Sequence, residues 1–124
     1  MKKNTFSKVQ RLCGQTKIDS LYKNGSRFVV WPIRVTYLPI EDETQVLVWA
    51  PKSLFKRAVD RNALRRKMRE AYRLNMSILL EINASYQIAF NYMDKTIQPY
   101  SCIEKAMKKA LKRIIQSSIP HHEI

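Results

Sequence analysis

The stretch Lys56-Arg57-Ala58-Val59-Asp60-Arg61-Asn62-Ala63-Leu64-Arg65-Arg66-Lys67-Met68-Arg69-Glu70-Ala71-Tyr72-Arg73 decides how this chain is read. It contains neither glycine nor proline, and its period is helical from about Lys56 to Asn75. At ~100° per residue, Leu64, Met68 and Ala71 fall within about 60° of one another, with Tyr72 at the edge. That is the core-facing stripe. Arg61, Arg65, Arg69 and Arg73 follow i, i+4 spacing, with Asn62 and Arg66 beside them, over a sector of roughly 140° turned away from the core. Asp60 and Glu70 fall on other sectors, so intrahelical pairing is expected to leave this face unneutralised. Like charges at i, i+4 cost a few tenths of a kcal/mol per pair, which a polyanion relieves. Arginine also suits bidentate phosphate contact better than lysine. Asn62 adds an amide that can donate to phosphate or accept from a hydrated metal ion. A face of one sign, biased to arginine, reads as a nucleic-acid contact rather than a solvated surface.

Working outward from this helix, the N-terminal side is rich in strand patterns. Gln45 to Ala50 is a nearly continuous apolar strand closed by Pro51. Ile33-Arg34-Val35-Thr36-Tyr37 alternates after Pro32, and Pro39 with Glu41-Asp42-Glu43 predicts a turn between the two. The pair is expected to form an antiparallel hairpin. Ile18, Leu21 and Tyr22 give one apolar face to a short helix over about Lys17–Asn24. Thr16 is its expected cap, and Gly25 suits a left-handed position just past its end. On the C-terminal side, a loop around Asn83-Ala84-Ser85 leads to a strand, Tyr86-Gln87-Ile88-Ala89-Phe90-Asn91-Tyr92. Ser101-Cys102-Ile103-Glu104 matches a capping box. The helix that follows runs to about Gln116 with Ile103, Met107, Ala110, Leu111 and Ile114 on its apolar face, and Pro120 stops it. The order predicts one small α+β sandwich over 1–124, with an extended basic arm at 1–15 and a C-terminal tail at 117–124.

The 124 residues carry a formal net charge of +13, from 23 Lys and Arg against 10 Asp and Glu. A hydrophobic fraction of 45% argues against a disordered polycation. The charge is unevenly distributed: +6 over 1–30, −1 over 31–55, +6 over 56–73, −1 over 74–100 and +3 over 101–124. A basic arm, a basic central helix and a basic last helix thus surround a nearly neutral sheet. Such a balance calls for a polyanionic partner. No apolar run reaches the ~18 residues of a membrane span, and the N-terminus lacks the apolar region of a secretory signal, so a cytoplasmic location is expected. Cys13 and Cys102 lie far apart without a CxxC or Cys/His cluster, which predicts two free thiols and no zinc site. His121 and His122 are adjacent, diverge in direction, and read as part of the tail.

At Arg61-Asn62-Ala63-Leu64-Arg65-Arg66-Lys67-Met68-Arg69-Glu70 the chain resembles the protein component of bacterial ribonuclease P. That family's motif is Arg-Asn-Arg, an aliphatic residue, two basic residues and Arg-Glu. Ala63 departs from it, standing where the second Arg is expected. Phe6, Lys8, Arg11 and Leu12 resemble the family's N-terminal arm, and Ile18, Leu21, Tyr22, Lys23 and Gly25 its first helix and turn, where aromatics are usual at the positions of Ile18 and Tyr22. The run from Pro51 to Val59 resembles the basic loop entering the motif helix. The resemblance implies the order α-β-β-β-α-β-α, a four-stranded sheet and a left-handed β-α-β crossover, where sequence rules alone favour the right-handed form.

The resemblance also implies a function. A ribonuclease P protein assists a catalytic RNA in removing the 5′ leader from precursor tRNA by hydrolysing one phosphodiester bond, with Mg²⁺ held mainly by the RNA. On this basis Lys52, Lys56, Arg57, Arg61, Asn62, Arg65, Arg66 and Arg69 are expected to meet the catalytic RNA. Ile18, Tyr22, Arg34 and Tyr37 are candidates for the leader, with Arg34 and Tyr37 on opposite strand faces. Stacking on aromatics suits a single strand because every base has a π-face. No catalytic residue and no protein-held metal is expected. A small ribosomal or other structural RNA-binding protein explains the charge equally well, though not the Arg-Asn helix that ends in Arg-Glu. A DNA-binding regulator lacks a helix-turn-helix pair, since strands precede the basic helix. A self-sufficient protein nuclease lacks a carboxylate cluster.

Overall fold

A computed structural model describes residues 15–41, 43–81 and 85–118. The elements are α1 (Gln15–Asn24), β1 (Ser26–Val30), β2 (Ile33–Ile40), β3 (Gln45–Trp49), α2 (Ala58–Asn75), a 3₁₀ segment (Met76–Glu81), β4 (Ser85–Tyr92) and α3 (Tyr100–Ser118). The α-β-β-β-α-β-α order is as expected. The expected arm at 1–15 falls almost wholly outside the described residues. Cys13, Asn83, Ala84, Pro120, His121 and His122 also lie outside them.

The sheet order is β1-β2-β4-β3. This corrects the expected hairpin of β2 with β3. The hairpin is instead β1 with β2, closed at Val30↔Ile33 around Trp31 and Pro32. β4 enters between β2 and β3, antiparallel to the first and parallel to the second. A parallel neighbour needs a crossover, and α2 provides it. β4 is therefore central, which explains why consecutive residues from Tyr86 to Phe90 are all buried.

The pleat sends alternate side chains to opposite faces. Phe28, Ile33, Val35, Val46, Val48 and the Tyr86, Ile88, Phe90 and Tyr92 row of β4 face the main core. The apolar stripe of α2 (Leu64, Met68, Ala71, Tyr72) and that of α3 (Ile103, Met107, Ala110, Leu111, Ile114) close it, as their spacing predicts. The other face receives α1: Leu21 packs with Ala89, flanked by Ile18, Tyr22, Leu38 and Leu47.

Several boundaries differ from expectation for local reasons. Thr16 lies inside α1 rather than capping it. Gly25 is not left-handed; it is needed for close approach. A Cβ there would lie 2.6 Å from the Leu21 carbonyl oxygen and 2.9 Å from that of Tyr37, while its own N–H donates to Leu21 O at 2.8 Å. Pro39 is not in a turn but within β2, paired with Tyr86. β1 stops pairing at Tyr37, so Pro39 occupies a free edge, where a missing N–H is tolerated. β3 ends at Trp49, with Ala50 buried just beyond it. α2 starts at Ala58 because Arg57 is extended (φ −84°, ψ 129°). Ser101 lies within α3, and Pro99 O accepts from the Cys102 and Ile103 N–H groups.

Candidate nucleic-acid interface

The segment between β3 and α2 is anchored by one buried residue. Phe55 is buried and its ring lies 5.8 Å from that of Tyr92. Its N–H and that of Leu54 donate to Pro51 O, each at 3.2 Å. Around this anchor Lys52, Lys56 and Arg57 are exposed. Arg61, one turn into α2, donates from Nη1 to Phe55 O at 2.8 Å and Lys56 O at 3.0 Å. It therefore ties the loop to the helix, a role that charge spacing alone does not reveal.

Further along the helix, Arg65 Nη2 donates to Asn62 Oδ1 at 2.6 Å. The acceptor of Asn62 is thereby engaged, and its two amide N–H donors remain for a phosphate. Arg66 and Asn62 are exposed, and Arg69 is half-buried. The end of the row departs from expectation: Arg73 pairs with Glu70 at 2.6 Å. At i, i+3 the two side chains are neighbours although their sectors differ. The hydrogen bond from Arg73 holds the Glu70 carboxyl below the usual carboxylate range. Lys67 Nζ reaches Gln98 O, 3.4 Å away in the segment before α3. It is thus directed to that segment, away from the arginine row where Ala63 falls short of the motif.

On the other face of the sheet, a cleft of about 390 Å³ lies between α1 and the β3–β4 pair. Ile18 and Tyr22 line it from α1, Leu47 and Trp49 from β3, and Asn91 from β4. The Tyr22 hydroxyl donates to Asn91 Oδ1 at 3.0 Å, which fixes the ring against the sheet. Arg27 Nη2 donates to Tyr22 O at 2.8 Å, and the exposed Arg34 is the cross-strand partner of Asn91. Ile18, Tyr22 and Arg34 are thus brought together. Tyr37 is not. Its parity puts it on the core face, in edge contact with Phe28 (5.7 Å) and Tyr86 (6.0 Å).

Sequence reading missed Trp49, Leu47 and Asn91. Trp49 is 46% exposed although it ends an apolar strand. Val46-Leu47-Val48-Trp49 is apolar at every position, so no alternation marks the inward and outward residues. Only the positions of the two helix layers assign the faces.

A family model described as Ribonuclease P matches residues 6–115. The chain belongs to the ribonuclease P protein family. The ribonuclease P protein component of Porphyromonas gingivalis is 38% identical over 117 residues, spanning 88% of this chain and 85% of that protein. The protein component of Chlorobaculum tepidum is 37% identical over 73 residues, or 53% of this chain and 47% of its own. The fold is shared with the ribonuclease P protein of Staphylococcus aureus (TM-score 0.72, 20% identity, 86% of this chain and 96% of that one). It is shared equally with that of Thermotoga maritima (TM-score 0.71, 19% identity, 83% and 96%). Membership places this ribonuclease P protein among RNA-binding nuclease components of tRNA processing. Among the described residues, no helix is long and apolar enough to cross a membrane. Cys102 is half-buried and a free thiol.

Proposed function

We propose that this chain is the accessory protein of a cytoplasmic ribonuclease P ribonucleoprotein, in which a catalytic RNA hydrolyses the 5′ leader from precursor tRNA. One observation carries the reading: a cleft lined by Tyr22 and Trp49 and an arginine helix are joined by one short basic loop. Trp49 ends β3, Lys52 follows it within three residues, and Arg61 ties that loop to α2. A leader lying on Tyr22 and Trp49 would stack its bases, with Arg34 beside it for phosphate. Lys52, Lys56, Arg57, Arg61, Asn62, Arg65, Arg66 and Arg69 would screen phosphates of the catalytic RNA.

Mg²⁺ bound to that RNA would activate water and stabilise the leaving oxygen. This chain's residues do not fit the role of its holder: among the described residues no three His, Cys, Asp or Glu side chains gather as ligands. Its own contribution is binding. It holds the leader and lowers the repulsion between two RNAs, and both effects favour cleavage where metal is scarce.

The test is precursor-tRNA cleavage by a bacterial ribonuclease P RNA at low Mg²⁺, with and without this protein. Stimulation is expected, and Trp49→Ala should reduce it for substrates carrying a leader. Absence of any stimulation favours a structural RNA-binding protein. Cleavage by protein freed of RNA would instead reveal a protein nuclease.

A further inference from the structure

A second cavity, of about 710 Å³, lies away from both the arginine helix and the α1 cleft. It is a groove between α3 and the β1–β2 hairpin. Val29 and Trp31 line it from the hairpin, and Lys105, Lys109, Lys112 and Arg113 from the helix. These cations fall on a sector of roughly 100°, opposite the buried stripe. None of them forms an ion pair among the described residues. Arg113 stacks its guanidinium 4.6 Å from the centre of the Phe28 ring, which holds the charge at the groove wall.

Trp31 is 54% exposed. A solvated tryptophan loses hydrophobic stabilisation, so its position calls for a contact. Its neighbour Asp94 is an acceptor held below the usual carboxylate range by Thr96 first, then Gln98, with a smaller contribution from the Trp31 indole. The Trp31 ring itself stays open to solvent. An exposed π-face beside a row of cations is the combination that binds unpaired nucleic acid.

We infer that this groove is a second RNA-binding surface, which takes an unpaired RNA segment with a base on Trp31 and its phosphates on Lys105, Lys109, Lys112 and Arg113. RNA as the polyanion rests on the functional reading above. The segment is distinct from the leader in the cleft, because β1 and β3 are opposite edges of the sheet and α1 and α3 cover opposite faces. An anionic membrane fits poorly. An interfacial helix must bury its apolar face in lipid, and that face of α3 is already packed in the core.

The two tryptophans allow each surface to be read alone. In the full chain, Trp49→Phe leaves Trp31 as the reporter, and Trp31→Phe leaves Trp49. An oligouridylate of about 12 nucleotides should quench Trp31 emission as its base stacks. Lys109→Ala with Lys112→Ala should weaken the Trp31 titration about tenfold and reduce its log–log salt slope by about 1.4, while the Trp49 titration is unchanged. An unmoved Trp31 signal overturns the proposal, as does one indifferent to the lysine pair. So does equal quenching by polyglutamate or by phosphatidylglycerol vesicles at the same salt. Failure to stimulate ribonuclease P RNA, with the Trp31 titration intact, would count against the subunit reading and leave this surface standing.

Discussion

On α2, Arg61 is engaged with two backbone carbonyls, Arg65 with Asn62 and Arg73 with Glu70. On α3, Lys105, Lys109 and Lys112 stand along one groove without an ion pair among the described residues. Both helices bury an apolar stripe in the same core and turn a basic face outward. They differ in what holds the charge in place. Arginine has five donors, so it can brace the protein and still meet a phosphate. A lysine ammonium is a strongly hydrated point charge on a flexible stem, and ordering it costs more entropy per contact made. On the proposed reading, the arginine face would suit one fixed RNA geometry, and the lysine face a strand whose path varies.

The largest expected effects should not distinguish the two helices. Leu64→Ala on α2 and Leu111→Ala on α3 each empty a fully buried site in the same cluster. Each should lower unfolding free energy by about 2–5 kcal/mol in urea titrations. A marked inequality would show that one helix contributes less to the core, and the comparison would then concern stability as well as charge.

Alkaline pH should act most strongly through α2. Burial pushes the Tyr72 hydroxyl up to about 12 from an ordinary 10. The neutral phenol is the form that folds, so its stabilisation is complete below pH ~10 and is lost as pH rises towards 12. The loss approaches ~2–3 kcal/mol. Urea midpoints followed from pH 9 upward should fall, and Tyr72→Phe should make the fall shallower. An unchanged fall would assign it to Tyr86, Tyr92 and Tyr100, which burial also pushes up.

Arg61→Ala is expected to do two things where Lys109→Ala does one. It releases the loop carbonyls of Phe55 and Lys56, costing about 1 kcal/mol of stability, and it weakens binding to the catalytic RNA. Lys109→Ala should leave the melting temperature unchanged. Equal behaviour in thermal melts would remove the distinction between braced and free cations.

The smallest expected effect is a gain. Glu70→Gln removes the acid beside Arg73. The salt dependence of RNA binding should steepen by up to about one unit as that guanidinium becomes available to phosphate. An unchanged slope would mean that Arg73 lies beyond the RNA contact.

Much of this was legible in the chain itself. The stripes of α2 and α3 are spaced for a helix with one apolar face, and every residue assigned to them is buried. The arginine row was also legible as a surface, but its internal bonds were not. Sector angles placed Glu70 away from Arg73, yet long side chains at i, i+3 meet regardless. The cleft was half legible. Ile18 and Tyr22 showed through helical spacing, whereas Trp49 was hidden by an unbroken apolar run and Tyr37 by an unassigned strand face.

By itself, then, the sequence determined the helices, their buried stripes, the location of the charge and the family, because periodicity and composition are local properties of the chain. Only the tertiary structure decided that β4 lies between β2 and β3, that Tyr37 faces the core, and that Trp49 and Trp31 line separate surfaces, of which the second is basic. Strand order and strand face depend on contacts between residues distant in sequence. A pattern that is apolar on both sides, as in β3, fits either face until the helices have taken their places.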